Sequence, residues 1–158
     1  MSFPLIRRDF WIKFIASGIG TGYAPIIPGT FGTLLGIAVF MSLSQFPRWL
    51  FFITLLGITA IGIWTSDKAE KLYQKKDPSY IVIDEVIGLL FTMLFLPFQV
   101  KYVLIAFIVF RIMDVIKPYP AKQWQELHGG IGIVIDDIVA GIYSGLIILF
   151  CVYIFGII

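Results

Sequence analysis

The C-terminal stretch decides the fold class: residues 131–158 read IGIVIDDIVAGIYSGLIILFCVYIFGII, in which two adjacent aspartates are the only charged residues. An apolar run of this length is typical of a membrane-crossing helix, because about 20 apolar residues span the hydrocarbon core. A helix also satisfies every backbone hydrogen bond within one segment, as lipid requires. The run therefore predicts a membrane helix, and its two acids need a separate explanation.

The rest of the chain shares this composition. Of the 158 residues, 59% are hydrophobic and only 14% are charged, whereas soluble domains have about 25% charged residues. Four further apolar segments precede the C-terminal one, at residues 31–46, 49–65, 80–96 and 100–116. We therefore expect a single domain, residues 1–158, with an all-α fold: a polytopic membrane helical bundle of about five apolar segments. A net charge of +2 gives no indication of nucleic-acid binding.

The basic residues predict the orientation of this bundle. If the five segments alternate in direction, ten of the twelve lysines and arginines fall on the side of the N-terminus, and only Arg48 and Lys101 fall on the other. By the positive-inside rule the N-terminus is cytoplasmic and the C-terminus lies outside. Segment 31–46 is short for a hydrocarbon core of about 30 Å, so the sequence leaves open whether it crosses completely.

Five carboxylates share one layer in this topology, at the cytoplasmic interface where lipid phosphates lie: Asp84, Glu85, Asp114, Asp136 and Asp137. Ionisable groups at membrane depth are costly and mark functional sites, and carboxylates are hard ligands for divalent cations. Simpler interpretations remain open. A helix dipole favours acids in a first turn, and an N-cap role accounts for one aspartate of the adjacent pair.

Two basic residues lie in the same layer. Arg111 precedes Asp114 by three positions, so it either forms an intrahelical ion pair or offers a bidentate fork to a phosphate. Lys117 is either a flexible point charge that binds a phosphate or a basic residue that the helix dipole favours at a C-terminus.

Residues 18–33 read GIGTGYAPIIPGTFGT. Glycines and hydroxyls before a helix start are typical of an anion-binding loop, and a membrane re-entry turn is the alternative. We expect Thr30 and Thr33 to bind substrate if the loop holds an anion.

Four strings in this order resemble the phosphatidylglycerophosphatase A family: TGYAPIIPGTFGT (21–33), IVIDEVIG (81–88), FRIMDVIKPYP (110–120) and GGIGIVIDDIVAG (129–141). The resemblance implies a Mg²⁺-dependent enzyme of the bacterial inner membrane. Such an enzyme converts the lipid phosphatidylglycerophosphate to phosphatidylglycerol and inorganic phosphate. Met113 departs from the family pattern, which usually has an aromatic residue there. Residues 121–127 lack the aspartate expected in that loop and offer Glu126 instead.

This resemblance and the residue chemistry give one hypothesis. Mg²⁺ is held by Asp84 or Glu85, by Asp114, and by Asp136 or Asp137, so all five acids are candidate catalytic and metal-binding residues. Candidate substrate-binding residues are Thr30, Thr33, Arg111 and Lys117. The competing function is a small membrane transporter or cation-conducting bundle that uses the same acids, and a non-catalytic assembly subunit is a further alternative. The number of metals, the ligand within each acid pair, the acyl-chain preference and the oligomeric state stay open.

Overall fold

The computed structural model describes the backbone of residues 3–155 and the side chains of residues 7–154. Within that range every regular element is helical, which confirms the all-α class. A 3₁₀ turn at Thr21–Tyr23 lies between the first two helices. The helices are α1 (Phe3–Ala16), α2 (Pro28–Leu43), α3 (Arg48–Tyr73), α4 (Ile83–Leu94), α5 (Val100–Ile116), α6 (Ala121–Trp124) and α7 (Gly130–Phe155). Each of the five apolar segments contains a helix, while α1 and α6 are additional. The last three residues of the C-terminal segment lie outside the described range.

Prolines lie at or near several helix boundaries. Pro28 occupies the first turn of α2, where its missing N–H costs nothing. Pro47 immediately precedes α3, and α4 lies between Pro78 and Pro97. The α5 helix ends at Lys117, which adopts a left-handed conformation with φ of 46°, immediately before Pro118. Short proline-containing connections therefore separate consecutive helices at both ends of the bundle.

The central element is α4. Nine of its twelve residues are buried, and it packs against α2, α3, α5 and α7. Small residues allow α4 and α7 to approach closely: a Cβ at Gly141 would meet the carbonyl oxygen of Gly88, and one at Gly145 would lie 2.8 Å from that of Thr92. The two pairs have the same separation in sequence, so the helices run in parallel and in register. The first turn of α4 therefore lies beside Asp136 and Asp137, in the second turn of α7.

The prediction of about five membrane-crossing segments needs correction. In residues 3–155 two helices, α3 and α7, are long and apolar enough to cross a membrane, and α2 is a shorter apolar helix. The reason for the difference is length. Residues 80–96 form a helix of only 12 residues, about 18 Å long at 1.5 Å per residue, because residues 80–82 and 95–96 are not helical. Apolar character in α4 reflects burial in the bundle core.

Candidate active site

A polar pocket of about 320 Å³ lies where the N-terminal ends of α2, α4 and α7 meet the C-terminal end of α5. It is lined by Ile27, Pro28, Gly29, Asp77, Ser79, Ile81, Asp84, Glu85, Arg111, Asp114, Lys117 and Asp137. Six of the nine residues that the sequence predicts for the site line this pocket. Residues far apart in the chain therefore converge as the alternating topology requires.

Three carboxylates form the deepest part of the site. Asp84, Glu85 and Asp137 each offer an oxygen atom, and these atoms all lie within 4.8 Å of one another. The parallel register of α4 and α7 explains the encounter, because the pair Asp84 and Asp137 has the same separation in sequence as the glycine contacts between these helices. Asp84 and Asp137 are 8% and 3% exposed. The backbone contacts that hold the helices together thus bring like charges together.

This carboxylate triad has unused ligand atoms. Among the described residues, Asp84 Oδ1, Glu85 Oε2 and Asp137 Oδ2 are buried and have no hydrogen-bond partner. Buried charged oxygens without partners are strongly unfavourable, and neighbouring carboxylates repel each other unless a cation compensates. Divalent cations such as Mg²⁺ and Ca²⁺ take carboxylate oxygens as ligands. The donor set therefore fits a hard divalent cation.

Arg111 connects the triad to Asp114. Its Nη1 atom lies 2.8 Å from Asp114 Oδ2 and 3.8 Å from Glu85 Oε1. The intrahelical ion pair that the sequence allows is therefore present. The shorter contact lacks hydrogen-bond geometry, and within the described part of the chain Nη1 has no hydrogen-bond partner. Arg111 is held in place by two acids while retaining an N–H group for an incoming anion.

Lys117 and Asp136 form a second ion pair at the edge of the pocket. Lys117 Nζ donates a hydrogen bond to Asp136 Oδ2. Burial alone would lower the pKa of Lys117, but the hydrogen bond to Asp136 and the charges of Asp136, Asp137 and Asp114 raise it above the ordinary lysine value. Asp136 is absent from the pocket lining. The adjacent aspartates thus have different surroundings, Asp137 in the pocket and Asp136 behind Lys117.

The backbone at the N-terminus of α2 lies against the site. Gly29 is buried, and a Cβ there would collide with Glu85 Oε1 and lie 3.1 Å from Arg111 Nη1. A side chain at this position would displace the Glu85 carboxylate. Thr33 is buried, and its hydroxyl donates to the carbonyl of Gly29 at 2.9 Å. Of the described side chains, those of Thr30 and Thr33 are outside the pocket lining, and their role in substrate binding stays a prediction.

Two polar lining residues, Asp77 and Ser79, are missing from the residues that the sequence predicts for the site. Asp77 has a positive φ of 45°, and its N–H donates to Glu70 Oε1 at 3.2 Å. Its Oδ2 accepts a hydrogen bond from Gln125 Nε2 at 3.1 Å. In the sequence, Asp77 lies at the end of a lysine-rich connection, residues 66–78. Its position shortly before the α4 acids, on the same predicted side of the membrane, is the signal that could have identified it as a site residue.

Comparison with known proteins gives a consistent result. The family model described as phosphatidylglycerophosphatase A matches residues 14–152. A Bacteroides thetaiotaomicron protein provisionally named as a phosphatidylinositol-3-phosphatase is 34% identical, over 95% of this chain and 99% of its own. Phosphatidylglycerophosphatase A of Escherichia coli is 39% identical over 86% of this chain and 80% of its own. Phosphatidylglycerophosphatase A of Haemophilus influenzae is 32% identical over 87% of this chain and 86% of its own. No solved structure matches.

Proposed function

The chain belongs to the phosphatidylglycerophosphatase A family, and from this we propose that it hydrolyses the terminal phosphomonoester of phosphatidylglycerophosphate, yielding phosphatidylglycerol and inorganic phosphate. Members of this family are phosphoric monoester hydrolases. The observation that carries the proposal is the juxtaposition of Arg111 with three carboxylates, two buried and one half-buried, in one pocket. Such a site suits a cation and a phosphate together, because each neutralises the charge of the other.

Mg²⁺ is the proposed cofactor, with Asp84, Glu85 and Asp137 as the residues that would hold it. Their unpartnered oxygens and hard-ligand chemistry support this assignment. When bound, a divalent cation supplies Lewis-acid polarisation of a phosphoryl oxygen and makes water a better nucleophile at neutral pH. Asp114 is then a positioning residue that holds Arg111, since its oxygen contacts the guanidinium.

The residues of the chain have distinct proposed roles in hydrolysis. Arg111 donates charge-assisted hydrogen bonds to the phosphate oxygens, and Lys117 adds a second positive charge at the pocket edge. Ile81 is buried and lines part of the pocket, where it excludes bulk water and so strengthens these electrostatic interactions. In the reaction, water adds to phosphorus, the bond from phosphorus to the glycerol oxygen breaks, and the leaving oxygen takes a proton.

A membrane location is part of the proposal. Large apolar side chains are exposed on the outer faces of several helices, including Phe52 and Leu56 of α3, Leu104 of α5 and Phe150 of α7. Extensive exposed apolar surface is typical of a membrane interaction, and α3 and α7 are long enough to cross. We propose a multi-pass protein of the bacterial inner membrane with its N-terminus and active site in the cytoplasm and its C-terminus outside. This orientation requires an odd number of crossings, so the proposal includes a crossing by the shorter apolar helix α2 together with α3 and α7.

The competing transporter function receives no support. The family and the named relatives are phosphatases, and the acids gather in one pocket together with Arg111. A second lipid phosphomonoester is favoured by one observation, the name of the Bacteroides thetaiotaomicron relative. Phosphatidylinositol 3-phosphate presents the same phosphomonoester on a bulkier alcohol, so it is the second candidate substrate.

The test is phosphate release by the purified protein in detergent with Mg²⁺, using the two lipids in parallel. We expect release from phosphatidylglycerophosphate at the higher kcat/KM. The matched control is Asp67→Asn, because Asp67 lies on α3 and pairs with Lys71 outside the pocket; this variant should retain the native rate. Preference for phosphatidylinositol 3-phosphate would reassign the substrate, and release from neither lipid would refute the proposal.

A further inference from the structure

A second cavity, of about 380 Å³, lies beside the polar pocket. Its walls come from Trp11 and Phe14 of α1, Leu35 and Val39 of α2, and Ile58 of α3, among other residues. In the described part of the chain every residue that lines it is apolar or glycine. Its volume is within the range of about 300–1,000 Å³ that small-ligand pockets have. It suits an apolar ligand and offers no polar group to recognise anything else.

The two cavities share a wall at the start of α4. Ile83 and Val86 line the apolar cavity, while Asp84 and Glu85 line the polar pocket. Successive residues of a helix point about 100° apart, so this single turn separates the carboxylates from the apolar side chains. A molecule with a phosphate in the pocket could therefore place an apolar part in the cavity by passing around one helix turn.

The apolar cavity extends away from the phosphate end along α2. Pro28 at the start of α2 lines the polar pocket. Leu35 and Val39 line the apolar cavity, about 10 and 16 Å further along the helix axis at 1.5 Å per residue. A diacyl lipid has this layout, because a glycerol, a phosphodiester and a second glycerol separate its terminal phosphate from its acyl chains in phosphatidylglycerophosphate.

Charge on α1 favours an anionic lipid as the occupant. Arg7 and Arg8 are exposed on this helix, and Phe10 and Trp11 are exposed apolar residues nearby. Basic and aromatic residues on one helix are typical of a segment at the surface of an anionic membrane.

We infer that the apolar cavity between α1, α2, α3 and α4 receives an acyl chain of the lipid whose phosphate enters the acidic pocket. The inference rests on the proposed function, which supplies the lipid. It assigns a chain-binding subsite to Val39, Ile58, Ile83 and Val86, and it makes the diacyl part of the substrate a source of binding energy.

The first experiment compares dipalmitoyl phosphatidylglycerophosphate with its deacylated, water-soluble headgroup as substrates. Val39→Trp fills the cavity, and the matched control Leu104→Trp adds the same ring to an exposed position on α5. We expect Val39→Trp to lower kcat/KM for the lipid at least about tenfold. This loss corresponds to two methylene groups of the acyl chain that are no longer buried. The deacylated substrate should react at the native rate in both variants. Equal losses on both substrates, or no loss on the lipid, would overturn the inference.

The second experiment separates this inference from the proposed function because it needs no hydrolysis. A phosphatidylglycerol analogue with a photoreactive group in one acyl chain is cross-linked to the native protein, and the labelled peptides are identified by mass spectrometry. We expect labelling of the segments that contain Val39 and Ile58, and weaker labelling there after Val39→Trp. Labelling spread evenly over exposed faces such as that of Leu104 would overturn the inference. So would a change in oligomeric size in Val39→Trp without altered labelling, which would assign the cavity to a second copy.

Discussion

Lys117 holds a buried carboxylate, so its removal should be costly to stability. The side chain of Asp136 is 3% exposed and that of Lys117 is 25% exposed, and the two form a direct ion pair. Lys117→Met removes the cation and leaves the aspartate buried without its counter-charge. Breaking a buried pair in this way costs about 3–5 kcal/mol. The partial exposure of Lys117 allows some solvent screening, so we expect about 3 kcal/mol, the lower end of that range.

A double-mutant cycle tests this cost. Lys117→Met, Asp136→Asn and the double variant are purified, and their unfolding free energies in detergent are compared with that of the native protein. The double variant should recover most of the loss, because neither charge remains to be desolvated. Lys122→Met on α6 is the matched control, since Lys122 is exposed, and it should change stability by less than about 0.5 kcal/mol. The reasoning is refuted if Lys117→Met equals this control, or if the double variant is no more stable than the single one.

The pH dependence gives the same pair a second signature. The pKa of Lys117 is raised in the folded protein, so its contribution to stability is fully present below the unfolded lysine pKa, about 10.4. The contribution is lost as pH rises through the higher folded value. The stability difference between the native protein and Lys117→Met should therefore be constant between about pH 7 and 9 and shrink only in alkaline solution.

Three further substitutions test the pocket. Asp84→Asn should lower phosphate release about 100-fold or more, because a proposed cation ligand is lost, whereas Asp67→Asn should retain the native rate. Gly29→Ala should also lower the rate, by about 100-fold, because its Cβ displaces the carboxylate that it touches. Its control is Gly57→Ala on α3, where a Cβ would meet no described atom within 4 Å, and this variant should keep full activity. Asp77→Asn removes one negative charge from the lining and should raise the Mg²⁺ concentration for half-maximal rate by about tenfold; an unchanged Mg²⁺ dependence would exclude this role.

The helical fold was largely predictable from the sequence, because apolar runs and prolines determine where helices form and end. What was wrong was the number of membrane-crossing segments inferred from apolar composition. Helix α4 is apolar because four neighbouring helices bury it, and the same residue types would face lipid in a spanning helix. A hydropathy pattern does not distinguish these environments. The short length of α4 follows from where the helix begins and ends in the structure.

Within the site, the sequence identified the layer of acids but not their partners. The choice between Asp136 and Asp137 depended on the rotation of α7 relative to α4, which close glycine contacts set. Lys117 contacts Asp136 because α5 ends in a left-handed residue beside α7. Asp77 lines the pocket from the connection between α3 and α4. The sequence of such a connection has no periodic pattern that predicts where its side chains lie. Pairings of this kind are tertiary properties.

The most direct test of the carboxylate triad is phosphate release from phosphatidylglycerophosphate by the purified native protein, measured in a chelator and then with graded Mg²⁺. Thermal stability is recorded in the same samples, with Asp137→Asn alongside. The triad predicts that activity vanishes in the chelator and returns with Mg²⁺. It also predicts that Mg²⁺ raises the Tm of the native protein, because ligands stabilise the state that binds them, and that this increase is lost in Asp137→Asn. A full rate in the chelator, or an equal rise in Tm for both proteins, would contradict the cation site.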